Sequence, residues 1–315
     1  MHPGLHRGRV LVVAPAVSSS SSSPASRWHR LTQGPTARFF WAIPLVGLPF
    51  VLANVVSKLW MTAPELLAFR NPFKTVVLLL AYAAFVRWVE RRSVDEGALP
   101  GAGRELAQGF GWGLGVIGAA VALLALSGGY TVSGWGSAQG ALTLLQLHVF
   151  VAVLEELLFR GLLFRLLEGI VGTWGALLVS TLLFGLAHGA NPGANAITLS
   201  ALGGLSVCLT LAFVMTRRLW LCVGLHWGWN FAQGGLFGLP VSGTQVAPGA
   251  LAASTSGPTW LTGGAFGLEA SVLTLALTAL LCLHFGREAL RRGHWRAPSW
   301  ASARSISVAS PSQVS

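Results

Sequence analysis

The sequence predicts an all-α fold, a polytopic transmembrane bundle of about eight helices with both termini in the cytoplasm. Composition and patterning carry this reading. Of 315 residues, 53% are hydrophobic and only 10% charged, whereas a soluble domain carries about 25% charged residues. The mean hydropathy is +0.64, and the apolar residues cluster in blocks close to the roughly 20 residues a helix needs to cross a bilayer. A large soluble core would require far more surface charge. Such a chain is an integral, multi-pass membrane protein, in the cell membrane if the source is bacterial.

Residues 1–38 read as a basic, Ser-rich tail, with an unbroken serine run from Ser18 to Ser23. The apolar stretch after Arg7 and Arg9 is short and contains Pro15, so it imitates a signal peptide only faintly. An N-terminal helical region, 39–140, supplies spans Phe39–Ser57, Thr75–Val89 and Leu106–Leu126. A core, 141–238, supplies Ala141–Phe159, Thr173–Ala190, Ala196–Met215 and Leu219–Gly238. A loop and the last span, Leu268–Gly286, fill 239–286, and 287–315 form a basic tail.

Arginine placement tests this order. The net charge of +11 rests on 19 Arg against 2 Lys. Arg38 precedes the first span, Arg87, Arg91, Arg92 and Arg104 flank the second loop, and Arg160 and Arg165 follow the fourth span. Arg217 and Arg218 follow the sixth, and Arg287, Arg291, Arg292 and Arg296 the eighth. The third, fifth and seventh loops carry none; Lys58, Arg70 and Lys74 in the first loop are exceptions. Cytoplasmic loops are enriched in Lys and Arg, which sets the orientation. Arginines beside apolar segments fit topology and anionic-lipid contact better than nucleic acid, so no nucleic-acid partner is expected.

Small residues mark helix contacts. Gly109, Gly111, Gly113 and Gly115 form two overlapping GxxxG patterns, and Gly185 with Gly189 and Gly224 with Gly228 repeat the spacing; such spacing lets backbones approach closely in membranes. Cys208, Cys222 and Cys282 lie in apolar segments without a CxxC pair, which argues against a disulfide framework or thiolate metal site.

The polar exceptions carry the chemistry. Glu155 and Glu156 stand side by side in the fourth span, although an ionised side chain there costs at least ~2.5–3.5 kcal/mol on insertion scales. Helical neighbours differ by about 100°, so the two carboxylates face different ways. Arg160 lies four residues after Glu156, the favourable acid-first order, which leaves Glu155 to find another partner. His188 stands deep in the fifth span one turn after Phe184, and His226 and Asn230 share one face of the seventh. Polar faces on three apolar helices are penalised apart and satisfied together. Two schemes follow. In one, Glu155 and His188 deprotonate a water while His226 and Asn230 stabilise an oxyanion. In the other, Glu155, His188 and His226 hold a divalent metal such as zinc with an open position, although no HExxH signature is present. Both lead to amide hydrolysis.

These residues resemble the CPBP family, the CAAX prenyl proteases and bacteriocin-processing enzymes, whose motifs are EExxxR, FxxxH and HxxxN. Here they are Glu155 to Arg160, Phe184 to His188 and His226 to Asn230, in that order, within residues 141–238. The resemblance implies an intramembrane endopeptidase acting on peptide or protein substrates, prenylated in some members. By that resemblance Glu155 and His188 would activate water, Glu156 and Arg160 would support Glu155, and His226 and Asn230 would form the oxyanion hole. The family is described both as metalloproteases and as glutamate-dependent. Intramembrane Glu, His and Arg also mark proton relays and transporters, and a non-catalytic immunity scaffold could use the same fold.

Several further residues are weighed against packing roles. His148, seven residues before Glu155, can reach the same cavity but reads first as a packing histidine, and His284 beside Arg287 reads as interfacial. Trp227 and Trp229 can line a lipid-like groove. One tension remains in the simple span model. At 1.5 Å per residue it leaves Glu155 and His188 roughly 10 Å apart in depth. Their meeting needs a tilted fourth span or an interfacial helix near Leu162–Gly169.

Overall fold

The computed structural model describes residues 34–301; most of the two predicted tails lies outside the described residues. Helices α1 (Thr36–Trp60), α2 (Pro64–Val89) and α3 (Ala102–Leu126) come first. They are followed by α4 (Ala138–Glu156), a π-helical stretch over Leu157–Phe164, and α5 (Arg165–Ala187). The last three are α6 (Ala196–Thr216), α7 (Leu219–Asn230) and α8 (Val272–Arg291). Among the described residues, 6 stretches are long and apolar enough to cross a membrane: α1, α2, α3, α6, α8 and a 50-residue run from Ala138 to Ala187. The predicted fourth and fifth spans are thus one run, and the predicted seventh is α7 extended by a π-helical Phe231–Leu236.

The bundle is apolar outside as well as inside. Leu48, Leu52 and Leu59 on α1, Leu80 on α2, Leu178, Leu182 and Leu186 on α5, and Leu280 and Leu283 on α8 are all exposed. Water would penalise such a belt, and lipid does not. At the centre stands α6, with 72% of its most apolar window buried. Its start is fixed by a capping box: the Asn195 side chain accepts from Ile197 and Thr198 N–H, and Thr198 Oγ1 accepts from Asn195 N–H.

The Ala138–Ala187 run reverses at Gly172, whose φ of 72° and ψ of 176° are not helical. Only glycine takes that backbone without strain. A Cβ there would also sit 2.8 Å from Pro298 N and 2.9 Å from Arg296 O, where the chain after α8 packs back. The reversal removes the depth conflict between Glu155 and His188. Glu155 precedes Gly172 by 17 residues and His188 follows it by 16, so the two limbs of the hairpin bring them to one level. Phe159 and Phe184, 13 before and 12 after, confirm the register with ring centroids 4.9 Å apart. The fourth helix does not end at Phe159. It runs on through the π-helical stretch before turning back.

The closest helix contact joins α3 and α7. A Cβ on Gly109 would lie 2.2 Å from Leu221 O, and one on Gly113 2.2 Å from Leu225 O. Reciprocally, a Cβ on Gly224 would lie 2.2 Å from Leu106 O, and one on Gly228 2.2 Å from Phe110 O. The two GxxxG patterns therefore face each other, backbone on backbone. The other predicted pattern does not pack: added Cβ atoms on Gly111 and Gly115 would meet nothing within 4 Å. Gly185 and Gly189 also lack such a partner, their nearest contacts being Leu199 O at 3.6 Å and Leu186 O at 3.2 Å.

One small sheet interrupts the all-helical pattern. Strands β1 (Tyr130–Trp135) and β2 (Leu251–Thr255) pair antiparallel, Tyr130 opposite Thr255, with a bulge between Val132 and Gly134. It ties the end of α3 to the long segment before α8.

Glycine chemistry gives a direct test. Gly113→Val is expected to destabilise the protein by about 1–3 kcal/mol or more, because overpacking meets backbone that cannot yield. Gly115→Ala is expected to be neutral or slightly stabilising, since Ala is the better helix former by about 0.8–1.0 kcal/mol. Thermal unfolding in detergent distinguishes them.

Candidate active site

Glu156 and Arg160 are the most enclosed of the six motif side chains. Glu156 is fully buried, and its Oε1 accepts from Arg160 Nη1 at 3.0 Å and from His226 Nδ1 at 2.8 Å. Arg160 is equally buried. Its other donors reach α6: Nη2 donates to Ser206 O at 2.8 Å and Ser206 Oγ at 3.0 Å, and Nε to Thr210 Oγ1 at 3.3 Å. The guanidinium also lies 5.0 Å from the Phe184 ring centroid, within cation–π range. The EExxxR spacing thus yields an ion pair that crosses from α4 to α6 and α7. The π-helical Leu157–Phe164 begins directly after Glu156 and carries Arg160; such irregularities recur at functional sites.

Glu155 points the other way, as its neighbouring helical position dictates. Its side chain keeps 20% exposure, with Oε1 3.7 Å from His188 Nε2 and Oε2 3.9 Å from His226 Nε2. These separations exceed a direct hydrogen bond. Both rings are oriented from behind. His188 Nδ1 lies 2.9 Å from Phe184 O, an acceptor, so Nδ1 carries the proton and donates. His226 Nδ1 does the same to Glu156. In their neutral forms, both rings then present a bare Nε2 toward the Glu155 carboxylate. Phe184 holds the arrangement, with its centroid 4.9 Å from that of His188 and 6.4 Å from that of His226. Asn230, one turn beyond His226, lines the same cavity of about 140 Å³ and is 6% exposed.

Sequence reading expected this convergence, and all six motif residues do come together. The zinc alternative fares differently. Among the described residues no group of three or more His, Cys, Asp or Glu is arranged to hold a metal ion. Each imidazole addresses its own oxygen of one carboxylate at 3.7 and 3.9 Å, wider than the ~3.4 Å between donors sharing a tetrahedral zinc at about 2.0–2.1 Å. As placed, Glu155, His188 and His226 supply the ligand types of the metal site the sequence allowed, at a spacing slightly wider than a bound zinc would hold them.

Other residues fall out as follows. His148 lines the cavity, is 5% exposed and has a buried Nδ1 without a hydrogen-bond partner. His284 is exposed on α8, its ring centroid 6.2 Å from that of Trp112. Trp227 and Trp229 line no groove at the site: Trp227 Nε1 donates to Leu145 O at 3.1 Å, bolting α7 to α4, and Trp229 is buried.

Sequence reasoning missed the cavity's outer wall. Ser242, Thr244 and Gln245 line it from the segment after α7. Ser242 takes a left-handed φ of 46° and is gripped from two sides. Its O accepts from Asn191 Nδ2 at 2.8 Å, and its Oγ donates to Glu269 Oε1 at 2.7 Å. Glu269 is 3% exposed, with Oε2 unpartnered. An acidic residue in the predicted Leu268–Gly286 span was the available signal.

Fold and site together define a polytopic membrane protein with a carboxylate–imidazole centre sunk among its helices. Residues 137–232, about a third of the chain, match the family model described as type II CAAX prenyl endopeptidase Rce1-like. This agrees with the CPBP resemblance. It supports an intramembrane endopeptidase, with peptide or protein substrates at the membrane. No curated protein and no solved structure matches the chain significantly.

Burial pushes the Glu269 carboxyl up to about 7 from 4.5, against the opposing pull of Ser242 hydrogen bonds and of His226. A raised folded value means the folded state favours the proton. That contribution is complete below about 4.5 and is lost as pH rises through about 7. Stability is therefore expected to fall between pH 5 and 8, by up to roughly 3 kcal/mol, and Glu269→Gln is expected to flatten the profile. Unfolding in detergent across that range measures it.

Proposed function

We propose that the protein is an intramembrane endopeptidase that hydrolyses peptide bonds of membrane-associated substrates by a glutamate-dependent rather than a metal-dependent route. One observation carries this reading: two imidazoles and a carboxylate from three helices face a common point, and both imidazoles are fixed from behind through Nδ1. Four acceptor sites around one cavity call for a donor, and a water bridges separations of this size.

Glu155 takes a proton from that water, with His188 Nε2 as the second acceptor that orients it. The water oxygen attacks the substrate carbonyl. The oxyanion is met by Asn230 Nδ2 and by His226, which donates through Nε2 when it carries its second proton. The Glu156 carboxylate behind His226 balances that charge, and Arg160 keeps Glu156 in place. The proton on Glu155 passes to the leaving amine. Atoms and charges balance: water is added across the C–N bond.

Purified protein in nanodiscs, incubated with membrane-anchored peptides, tests the scheme. Glu155→Ala and His188→Ala are expected to reduce cleavage by at least about 10²–10⁴, the usual size of a general-base contribution, while unfolding as the wild type does. Asn230→Ala is expected to cost about 10²–10³ in kcat. Arg160→Ala is expected to destabilise the fold by about 3–5 kcal/mol, since it strands a buried carboxylate. Wild-type-like cleavage by the Glu155 or His188 variant would remove the mechanism. So would chelator-sensitive activity restored by zinc.

A further inference from the structure

The two ends of the bundle differ in chemistry. At one end lie Arg87, Arg91, Arg92 and Arg104 around the α2–α3 loop, Arg165 at the start of α5, Arg217 and Arg218 between α6 and α7, and the arginines at the end of α8. Ion pairs and hydrogen bonds show that these segments share one end. Arg165 pairs with Glu90 at 3.0 Å, Arg218 with Glu105 at 2.9 Å, and Arg292 Nη1 donates to Met215 O at 3.4 Å.

The opposite end is formed by residues 127–137, 189–195 and 231–267, tied together by the β1–β2 pairing and the Asn191–Ser242 bond. These three segments contain no Lys or Arg. Among the described residues, only Lys58, Arg70 and Lys74, around the α1–α2 turn, are basic at this end. Lys74 is turned inward, its Nζ 4.3 Å from the Phe150 ring centroid. Arginine and lysine in short loops mark the cytoplasmic side, and acidic residues contribute little to that bias. The basic end is therefore the cytoplasmic one.

The cavity lies toward the other end. His188 is the C-cap residue of α5, after that limb has run away from Gly172 and the basic end. Asn191, Thr244, Gln245 and Val246, which line its mouth, belong to the segments without basic residues, and Val246 is 66% exposed. Toward the basic end the cavity is closed by Arg160 and Glu156, both fully buried.

We infer that the catalytic cavity opens on the extracytoplasmic side of the membrane, so that its substrate is a membrane-associated peptide segment presented or exported to that side. This rests on the cavity being the active site, as proposed above; the direction in which it opens stands on geometry and charge alone.

Two variants, each with one introduced cysteine in a Cys282→Ala background, test the orientation; the remaining Cys208 and Cys222 are buried. Val246→Cys marks the cavity mouth, and Leu99→Cys, in the α2–α3 loop and 75% exposed, marks the basic end. With a membrane-impermeant maleimide, Val246→Cys is expected to label in intact cells and Leu99→Cys only after permeabilisation. The reverse pattern, or labelling of both in intact cells, would overturn the inference. A second arm supplies an impermeant fluorogenic peptide library either outside or inside sealed right-side-out vesicles. Cleavage from outside only is expected, and cleavage from inside only overturns the orientation. Cleavage on neither side refutes the protease reading, and with it the exported substrate, while the labelling result still decides which way the cavity faces.

Discussion

A carboxylate enclosed among apolar helices must be neutralised, and how Glu156 achieves this organises the rest of the structure. Its oxygen takes one donor from its own helix and one from α7, and the donor on its own helix reaches on to α6. Three helices are thereby fixed by one group. Buried ion pairs are poor sources of net stability, but removing one partner leaves an uncompensated charge. The pair thus specifies an arrangement more than it strengthens one. Its consequence is local: with Arg160 and His226 both spent on Glu156 Oε1, Glu155 on the next face is left with neither a cation nor a direct hydrogen bond.

That placement is useful only if the imidazoles around Glu155 hold still. Lipid offers no hydrophobic drive between helices, so association relies on close packing and hydrogen bonds. The α3–α7 contact supplies the packing, with glycine backbone meeting backbone on both sides of His226. His188 is held differently, through the Phe184 carbonyl and the Gly172 reversal that sets its height. One ring is positioned by a helix contact and the other by a hairpin. Both converge on a carboxylate that neither helix carries.

Much of this was legible in the sequence, because membrane helices announce themselves by apolar length and because a polar side chain in such a helix needs a partner. Glu155, His188 and His226 could be expected to meet for that reason. What could not be read was what depends on three dimensions at once. Apolar length alone does not show that the fourth span runs past Phe159 and folds back at Gly172, so the depths of Glu155 and His188 seemed to conflict. Four GxxxG spacings look alike in sequence, and only the facing backbone shows that Gly109–Gly113 meets Gly224–Gly228. Trp227 and Trp229 suggested a groove from their type, yet the first is spent on the Leu145 carbonyl and the second is buried. Zinc was admissible by ligand type, and the spacing of the donors, 3.7 and 3.9 Å, could not be read from that type. Glu269 escaped notice because its partner, Ser242, lies 27 residues earlier in a segment without periodicity.

Intramembrane Glu, His and Arg can equally build a proton path, and the layering of the core bears on that choice. Along α4 into α5, Arg160 is followed one turn on by Phe164 and a further turn by Glu168. Along α6, Thr210 is followed by Phe213 and Arg217. The Arg160–Thr210 contact belongs to the site, and the Arg217–Glu168 pair belongs to the basic end. Between them the Phe164 and Phe213 rings meet edge-on, centroids 5.9 Å apart, both almost fully buried. A conduit needs a continuous run of groups that can pass a proton, whereas two aromatic rings offer neither donor nor acceptor. The polar cluster is closed at that layer and open at the other end, which is the topology of a reaction chamber rather than a channel.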